Sequence, residues 1–193
     1  MSSTYNRLLQ VSLRQFSLYG YDGASLSSIA EEAGIKKASI YNHFNNKDSL
    51  FLEVVHKVYK DYLHMLKKAL PQAEKNGLPD LLDSVASYLT NEENGKFYLH
   101  FVLFPPPHLE KDVRRKFMTF EEDCNLLLRP LFQQKIDNKE IPVQPLEPLL
   151  DAFYGLLDSW SVQTLYYDTE ELKRKRRASW KFFWKGIGGR LND

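Results

Sequence analysis

Cysteine is almost absent. Cys124 is the only one among 193 residues, so no internal disulfide can form. A chain of this length buries roughly 70% of its unfolded surface and needs no covalent staple. Glycine and proline are sparse, nine of each, and strand-type alternation with regular turn signals is missing, which argues against a sandwich or barrel. No run of about 18 apolar residues exists for a membrane span. Residues 1–16 scatter arginines and polar residues and lack the continuous apolar core of a secretory signal. The expectation is a protein of the reducing cytoplasm with no membrane partner.

Net charge is missing too. Lysine plus arginine number 26 and aspartate plus glutamate 25, a balance of +1 that gives no general affinity for polyanions. Any such affinity must be local: residues 1–70 hold nine basic and six acidic side chains, leaving this part at +3 and the rest at −2. Catalytic signatures are absent as well. There is no G-x-S-x-G elbow and no glycine-rich phosphate loop, and Cys124 follows Glu122 and Asp123 rather than the cations that activate a thiol. His56 and His64 lie eight apart, while a triple proline separates His100 from His108, so neither pair has metal-ligand spacing. The chain is read as no enzyme, with no metal and no cofactor.

What is present is helical periodicity. Tyr5, Leu9, Leu13 and Phe16 define a first helix from Thr4 to Tyr19, which Gly20 should stop. Ser25 is a natural N-cap for a short second helix with Leu26, Ile29, Ala30 and Ala33 on one stripe. Gly34 supplies a left-handed turn and Ile35 an apolar plug before a third helix, from about Lys37 to His43. Two short helices across a glycine turn make a helix-turn-helix. Asn45 and Asn46 can cap a fourth helix from Lys47 to about Leu70, with Leu50, Val54, Val58 and Leu66 inward, ended by the loop-like stretch Pro71 to Pro79. Beyond it come a helix near Asp80 to Thr90, an apolar run from Phe97 to Phe104 closed by Pro105, Pro106 and Pro107, and a helix from Glu110 to about Gln134. Two last helices follow, Leu146 to about Tyr167 and Glu170 to about Leu191. The fold class is all-α, about nine helices, with residues 1–47 as a front helix-turn-helix unit and residues 48–193 as a larger helical rear unit.

Gly20-Tyr21, Ser25-Leu26-Ser27-Ser28-Ile29-Ala30, Ala33-Gly34-Ile35, Ser39-Ile40-Tyr41-Asn42-His43-Phe44 and Lys47 together resemble the DNA-binding domain of the TetR family of transcriptional regulators. The resemblance covers about residues 5 to 55. It implies a homodimer that binds double-stranded operator DNA and is released by a small effector, with residues 1–47 as the helix-turn-helix DNA-binding domain and residues 48–193 as the helical effector-binding and dimerisation domain. The family's DNA contacts then fall on Ser25, Ser27, Ser28, Lys36, Lys37, Ala38, Ser39, Tyr41, Asn42, His43 and Lys47. Lys37 suits guanine O6 or N7, Ser39 a base or phosphate, and Ala38 a thymine methyl. Tyr41 and His43 suit phosphates, and Lys47 adds its charge to the positive end of the fourth helix. Tyr41 has a second reading, as a residue packed on the first helix, and Lys47 another, as the partner of Asp48 or Asp22. Ser27 is short where relatives often carry a long side chain, and Lys36 removes an expected N-cap.

Phe97, Tyr98, Phe101, Phe104, Phe117, Phe120, Phe153, Tyr154 and Trp160, with Tyr166 besides, can line a cavity for an apolar or aromatic effector oriented by His100, Asp158 or Gln163; an ordinary core would use the same residues. Lys173 to Arg177 is the densest charge block and reads as a solvated helix start, with Glu170 and Glu171 placed to pair with Arg174 and Lys175 at i, i+4. A nucleic-acid patch is its other reading. The last two helices are apolar around most of their circumference and so require a second covering, which pairing across a two-fold axis supplies. A helical ligand-binding or protein-interaction module without specific DNA binding is the rival reading.

Overall fold

The computed structural model describes residues 3–190, and nine α-helices and one 3₁₀ turn occupy most of them with no strand. Helix α1 runs Ser3–Gly23, α2 Leu26–Glu32, α3 Lys37–Ile40, α4 Lys47–Asn76, α5 Leu78–Asn91 and α6 Glu93–Leu103. A 3₁₀ turn at Pro107–Leu109 precedes α7 Glu110–Asp137, α8 Leu146–Gln163 and α9 Thr169–Gly186. The all-α class expected from periodicity is what folds.

Several boundaries differ from expectation, each for a local reason. Gly20 does not stop α1: at φ 71 it kinks the helix, which resumes to Gly23. The third helix is a single turn: Lys36 at its N-cap offers no side-chain acceptor, and beyond Tyr41 the N–H groups of Asn42 and His43 bond three residues back rather than four. Helix α4 does not end at Leu70 but carries Pro71 inside it and reaches 30 residues, about 45 Å. It stops at Gly77, whose φ of 111 only glycine adopts without strain. Asp168 is an N-cap that periodicity did not mark; its carboxylate accepts from the Glu170 and Glu171 N–H groups and so separates α8 from α9.

Two compact units are distinguished by packing, and they do not coincide with a boundary at residue 47. The first comprises residues 1–62 and 91–120, the second 63–90 and 121–193. Helices α4 and α7 each contribute to both. Within the first unit α1 packs on α2 and α6, and α2 on α3. Its core holds Leu8, Leu9, Leu13, Phe16, Ile29, Ile40, Leu50, Phe51 and Val54, with the Phe16 and Phe51 rings edge to face at 5.2 Å. Within the second, α8 packs on α9 and buries Leu149, Leu150, Phe153, Leu157 and Trp160.

Candidate nucleic-acid interface

The helix-turn-helix is held by its short polar residues. Ser25 accepts from the Ser28 N–H at 3.0 Å while the Ser28 hydroxyl receives the Ser25 N–H at 3.3 Å, a reciprocal box that satisfies two orphan donors of α2. The hydroxyls of Ser25 and Ser28 are therefore occupied in capping, and only Ser27 presents one that is exposed without such a role. Gly34 takes φ 66, and the Ile35 N–H returns to the Ala30 carbonyl at 3.0 Å, closing the turn between α2 and α3.

That turn leaves the start of α3 outward. Lys36, Lys37 and Ala38 are exposed, Ser39 is half-buried, and Ile40 beneath them is fully buried, which fixes the turn to its unit. Tyr41 is 51% exposed, so its packing on the first helix is not what the structure shows. Asn42 and His43 are exposed too, and the His43 ring stands edge to face with Tyr5 at 5.9 Å. Seven of the eleven residues expected at DNA thus lie on or just beyond one short exposed segment, Lys36 to His43.

Lys47 is placed differently. Its Nζ donates to the Tyr21 carbonyl at 2.7 Å and the Ala24 carbonyl at 3.0 Å, and lies 4.2 Å from the Tyr21 ring centroid. Neither Asp22 nor Asp48 is its ion-pair partner. Two of the three ammonium donors are spent inside the unit, leaving one for a phosphate.

Beside it lies a contact that no sequence spacing marks. Asp48 accepts from the Tyr21 hydroxyl and lies 3.2 Å from His108 Nε2 of the 3₁₀ turn. The Tyr21 hydrogen bond holds the Asp48 carboxyl below its usual range, partial burial opposes that, and His108 adds a smaller push in the same direction as Tyr21. A histidine 60 residues away in sequence gives no local signal for such a contact. Burial, with smaller pushes from Asp123 and Glu121, drives the Cys124 thiol up, so it is no activated nucleophile. Among the described residues no group of histidine, cysteine or carboxylates could hold a metal, and no helix is long and apolar enough to cross a membrane.

The nine aromatic residues expected at an effector are divided between the two units. Phe97, Tyr98, Phe101, Phe117 and Phe120 belong to the first unit, Phe153, Tyr154 and Trp160 to the second, and Phe104 is 72% exposed. In the first unit Tyr59 stacks on Phe120 at 4.4 Å and Tyr62 on Tyr98 at 5.6 Å. The space left among Val55, Tyr59, Phe97, Tyr98, Phe101 and Val113 is about 10 Å³, room for one water at most. This cluster is a packed core. In the second unit Phe153 meets Phe132 edge to face at 5.3 Å, Tyr154 donates to Asn125 at 2.8 Å and Trp160 to Ser179 at 2.8 Å. Of the expected orienting groups, His100 and Asp158 are exposed and Gln163 donates to Ser159.

The basic block is only partly a solvated helix start. Lys173 pairs with Glu170 at 2.9 Å and Arg174 with Glu171 at 3.7 Å, both at i, i+3 rather than the expected i, i+4. Lys175 lies 4.1 Å from the Tyr167 ring centroid. Arg176 turns inward, to Asp83 at 2.5 Å and Thr164 at 2.7 Å, over the Trp160 ring.

Residues 8–54 match the family profile described as bacterial regulatory proteins, tetR family. The HTH-type transcriptional repressor AcnR of Corynebacterium jeikeium (strain K411) is 49% identical over 41 residues; the chain spans about a fifth of that relative's length, with 21% of its own length aligned. Among solved structures, the fatty acid degradation regulator FadR of Bacillus halodurans superposes with a TM-score of 0.75 at 16% identity, over 98% of this chain and 99% of that one. FadR from Bacillus subtilis in complex with stearoyl-CoA gives a TM-score of 0.69 at 17% identity, over 95% and 99%. The structural likenesses establish the fold over nearly the whole chain, and the family profile spans its helix-turn-helix.

Proposed function

Through residues 8–54 this chain belongs to the tetR family of bacterial regulatory proteins, and from that premise we propose a cytoplasmic transcriptional repressor that binds a palindromic operator as a homodimer and is released by a small apolar or aromatic effector. The observation that carries the proposal is the outward start of α3, with Lys36, Lys37 and Ala38 exposed above a buried Ile40. A recognition helix reads base edges with its N-terminal residues. Lys37 donates to guanine, Ala38 packs on a thymine methyl, and Ser39 reads a base or phosphate. Tyr41, Asn42 and His43 hold phosphates on one side, Ser27 on the other, with the third donor of Lys47 directed to the backbone. Ser25 and Ser28, whose N–H groups and hydroxyls close the capping box on one another, contribute by holding the start of α2 and Ser27 in place.

The dimer follows from what α8 and α9 leave uncovered. Gly155, Val162, Leu165 and Tyr166 on α8 and its C-terminal turn, and Ala178 and Phe182 on α9, are exposed. A second copy covering them by a two-fold axis gives a four-helix bundle. Two recognition helices then enter successive major grooves, and the half-sites are inverted repeats about 34 Å apart. Effector binding among Phe97, Tyr98, Phe101, Phe117 and Phe120 requires that packed cluster to open, and α4, which carries Tyr59 and Tyr62 against it, transmits the change. A coupling of about 1 to 3 kcal/mol alters operator affinity some 5 to 150 fold. The stearoyl-CoA bound by the Bacillus subtilis FadR supports an effector with a long apolar part.

Selection of bound sequences from random duplexes tests the proposal directly: an inverted repeat is the expected product, and recovery of no preferred sequence refutes it. With that operator, log affinity falls linearly and steeply with log salt. Lys37→Ala and Tyr41→Phe are expected to weaken binding without altering the dimer.

A further inference from the structure

All three tryptophans of the chain converge on one side of the second unit. Trp160 and Trp184 are buried, and their indole N–H groups are used internally, by Ser179 Oγ at 2.8 Å and the Arg190 carbonyl at 2.9 Å. Trp180 lies between two open chambers and is only half-buried, with its ring 5.3 Å from that of Trp184 at an interplanar angle of 23°. The chambers have volumes of about 490 and 500 Å³ and share Pro79 and Trp180. Each has the size of a small-molecule site. By contrast, the aromatic cluster of the first unit holds about 10 Å³.

Charge is concentrated there. Six cations line the two chambers, Lys173, Arg176 and Arg177 in one and Lys135, Lys139 and Arg190 in the other, against only two carboxylates, Asp83 and Glu140. Asp83 neutralises Arg176 and Glu140 neutralises Lys135, so the lining keeps an excess of four positive charges in a chain whose total is +1. Arg176 is fixed in place: its guanidinium carbon is 5.2 Å from the Trp160 ring centroid, and its buried Nε has no acceptor. Arg177 has no ion-pair partner among the described residues, and the exposed pair of Lys173 with Glu170 is the weak kind that an incoming anion displaces.

We propose that this groove is a binding site for an aromatic organic anion, whose flat body stacks on Trp180 while its carboxylate, sulfonate or phosphate is held by Lys173 and Arg177. The indole face accepts another ring by offset stacking, and two cations on one helical turn supply charge-assisted hydrogen bonds to the anion. A neutral ring gains only the floor, and an inorganic anion only the rim. Positions 173, 177, 180 and 184 share one face of α9, whereas the exposed Ala178 and Phe182 lie on the opposite face, so a dimer formed through the latter leaves the groove open. The site does not depend on operator binding.

Calorimetric titration of the full chain with 2-naphthyl phosphate, 2-naphthalenemethanol and inorganic phosphate tests the site. Naphthyl phosphate is expected to bind once per chain, at least tenfold tighter than either of the others, and to change the intrinsic fluorescence, since every tryptophan borders the groove. The double variant Lys173→Gln, Arg177→Gln, altered only at exposed positions, is expected to lose that tenfold and leave the neutral alcohol unchanged. Trp180→Leu is expected to weaken both aromatic ligands. Naphthyl phosphate binding no tighter than the alcohol overturns the proposal, and so does undiminished binding by the folded double variant.

Discussion

Lys47 and Tyr21 are joined twice: the ammonium nitrogen lies 2.7 Å from the Tyr21 carbonyl oxygen and 4.2 Å from the centroid of its ring. The same nitrogen reaches the Ala24 carbonyl at 3.0 Å. Ala24 directly precedes the N-cap of α2, so the first residue of α4 fixes the exit of α1 beyond the Gly20 kink. A cation at a helix N-terminus opposes the macrodipole, and two carbonyl acceptors offset that cost. Lys47→Met is expected to lower unfolding free energy by about 1.5 kcal/mol, the worth of hydrogen bonds to a charged group, and operator affinity along with it. Lys37→Ala, exposed and without a partner, is expected to lose affinity at unchanged stability. Urea unfolding of both variants separates the roles, and a Lys47→Met protein as stable as the parent would remove the clasp.

Beside it, Asp48 links stability to pH. Its carboxyl sits below the ordinary value, chiefly because Tyr21 donates to the carboxylate. A group whose pKa is depressed on folding contributes stability above its unfolded pKa, about 3.9 for aspartate. That contribution is lost as pH falls through the lower folded value. Between pH 5 and pH 2 the parent is therefore expected to lose more stability than Asp48→Asn, with the two converging at the acid end. Thermal unfolding across that range measures it. Parallel curves would mean that the Tyr21 contact does not favour the ionised form.

The helix-turn-helix was legible because its signals are local: Ser25 caps within its own turn, Gly34 needs a left-handed conformation, and the stripe of Ile29, Ala30 and Ala33 is buried as its spacing predicts. Lys47 and Asp48 were misread or missed because their partners, Tyr21, Ala24 and His108, are set by tertiary packing. The aromatic set is legible only in part. Aromatic periodicity marks burial, yet cannot tell a stacked core such as Tyr59 on Phe120 from a lined cavity. The basic block was half legible: exposed pairs at Lys173 and Arg174 follow from helical spacing, but Arg176 turns inward to Asp83, 93 residues earlier.

The uncovered faces of α8 and α9 give a prediction about assembly. Phe182 is 75% exposed, and Val162 is exposed on α8. In a two-fold bundle both are covered, and a carboxylate at either place is buried without a partner, at a cost of several kcal/mol. Phe182→Glu and Val162→Glu are each expected to sediment as monomers and to lose operator binding, since a single half-site contact forfeits the other's contribution. A dimer that survives both changes does not use this face.

Pro71 lies within α4, where it lacks the N–H that would reach the Lys67 carbonyl and its ring crowds that same carbonyl. Position 71 is exposed while Leu66 and Ala73 on either side of it are buried. Water can therefore serve the freed carbonyl, and packing of the flanking apolar residues carries the helix across a break that propensity alone would impose. On this account the proline is tolerated rather than required. Pro71→Ala restores one hydrogen bond and removes the crowding, and is expected to raise unfolding free energy by about 1 to 3 kcal/mol. The gain should show as a higher urea midpoint at unchanged slope. A lower midpoint would mean that Leu66 and Ala73 pack correctly only with the geometry the proline imposes, and that α4 is held in shape there rather than merely continued.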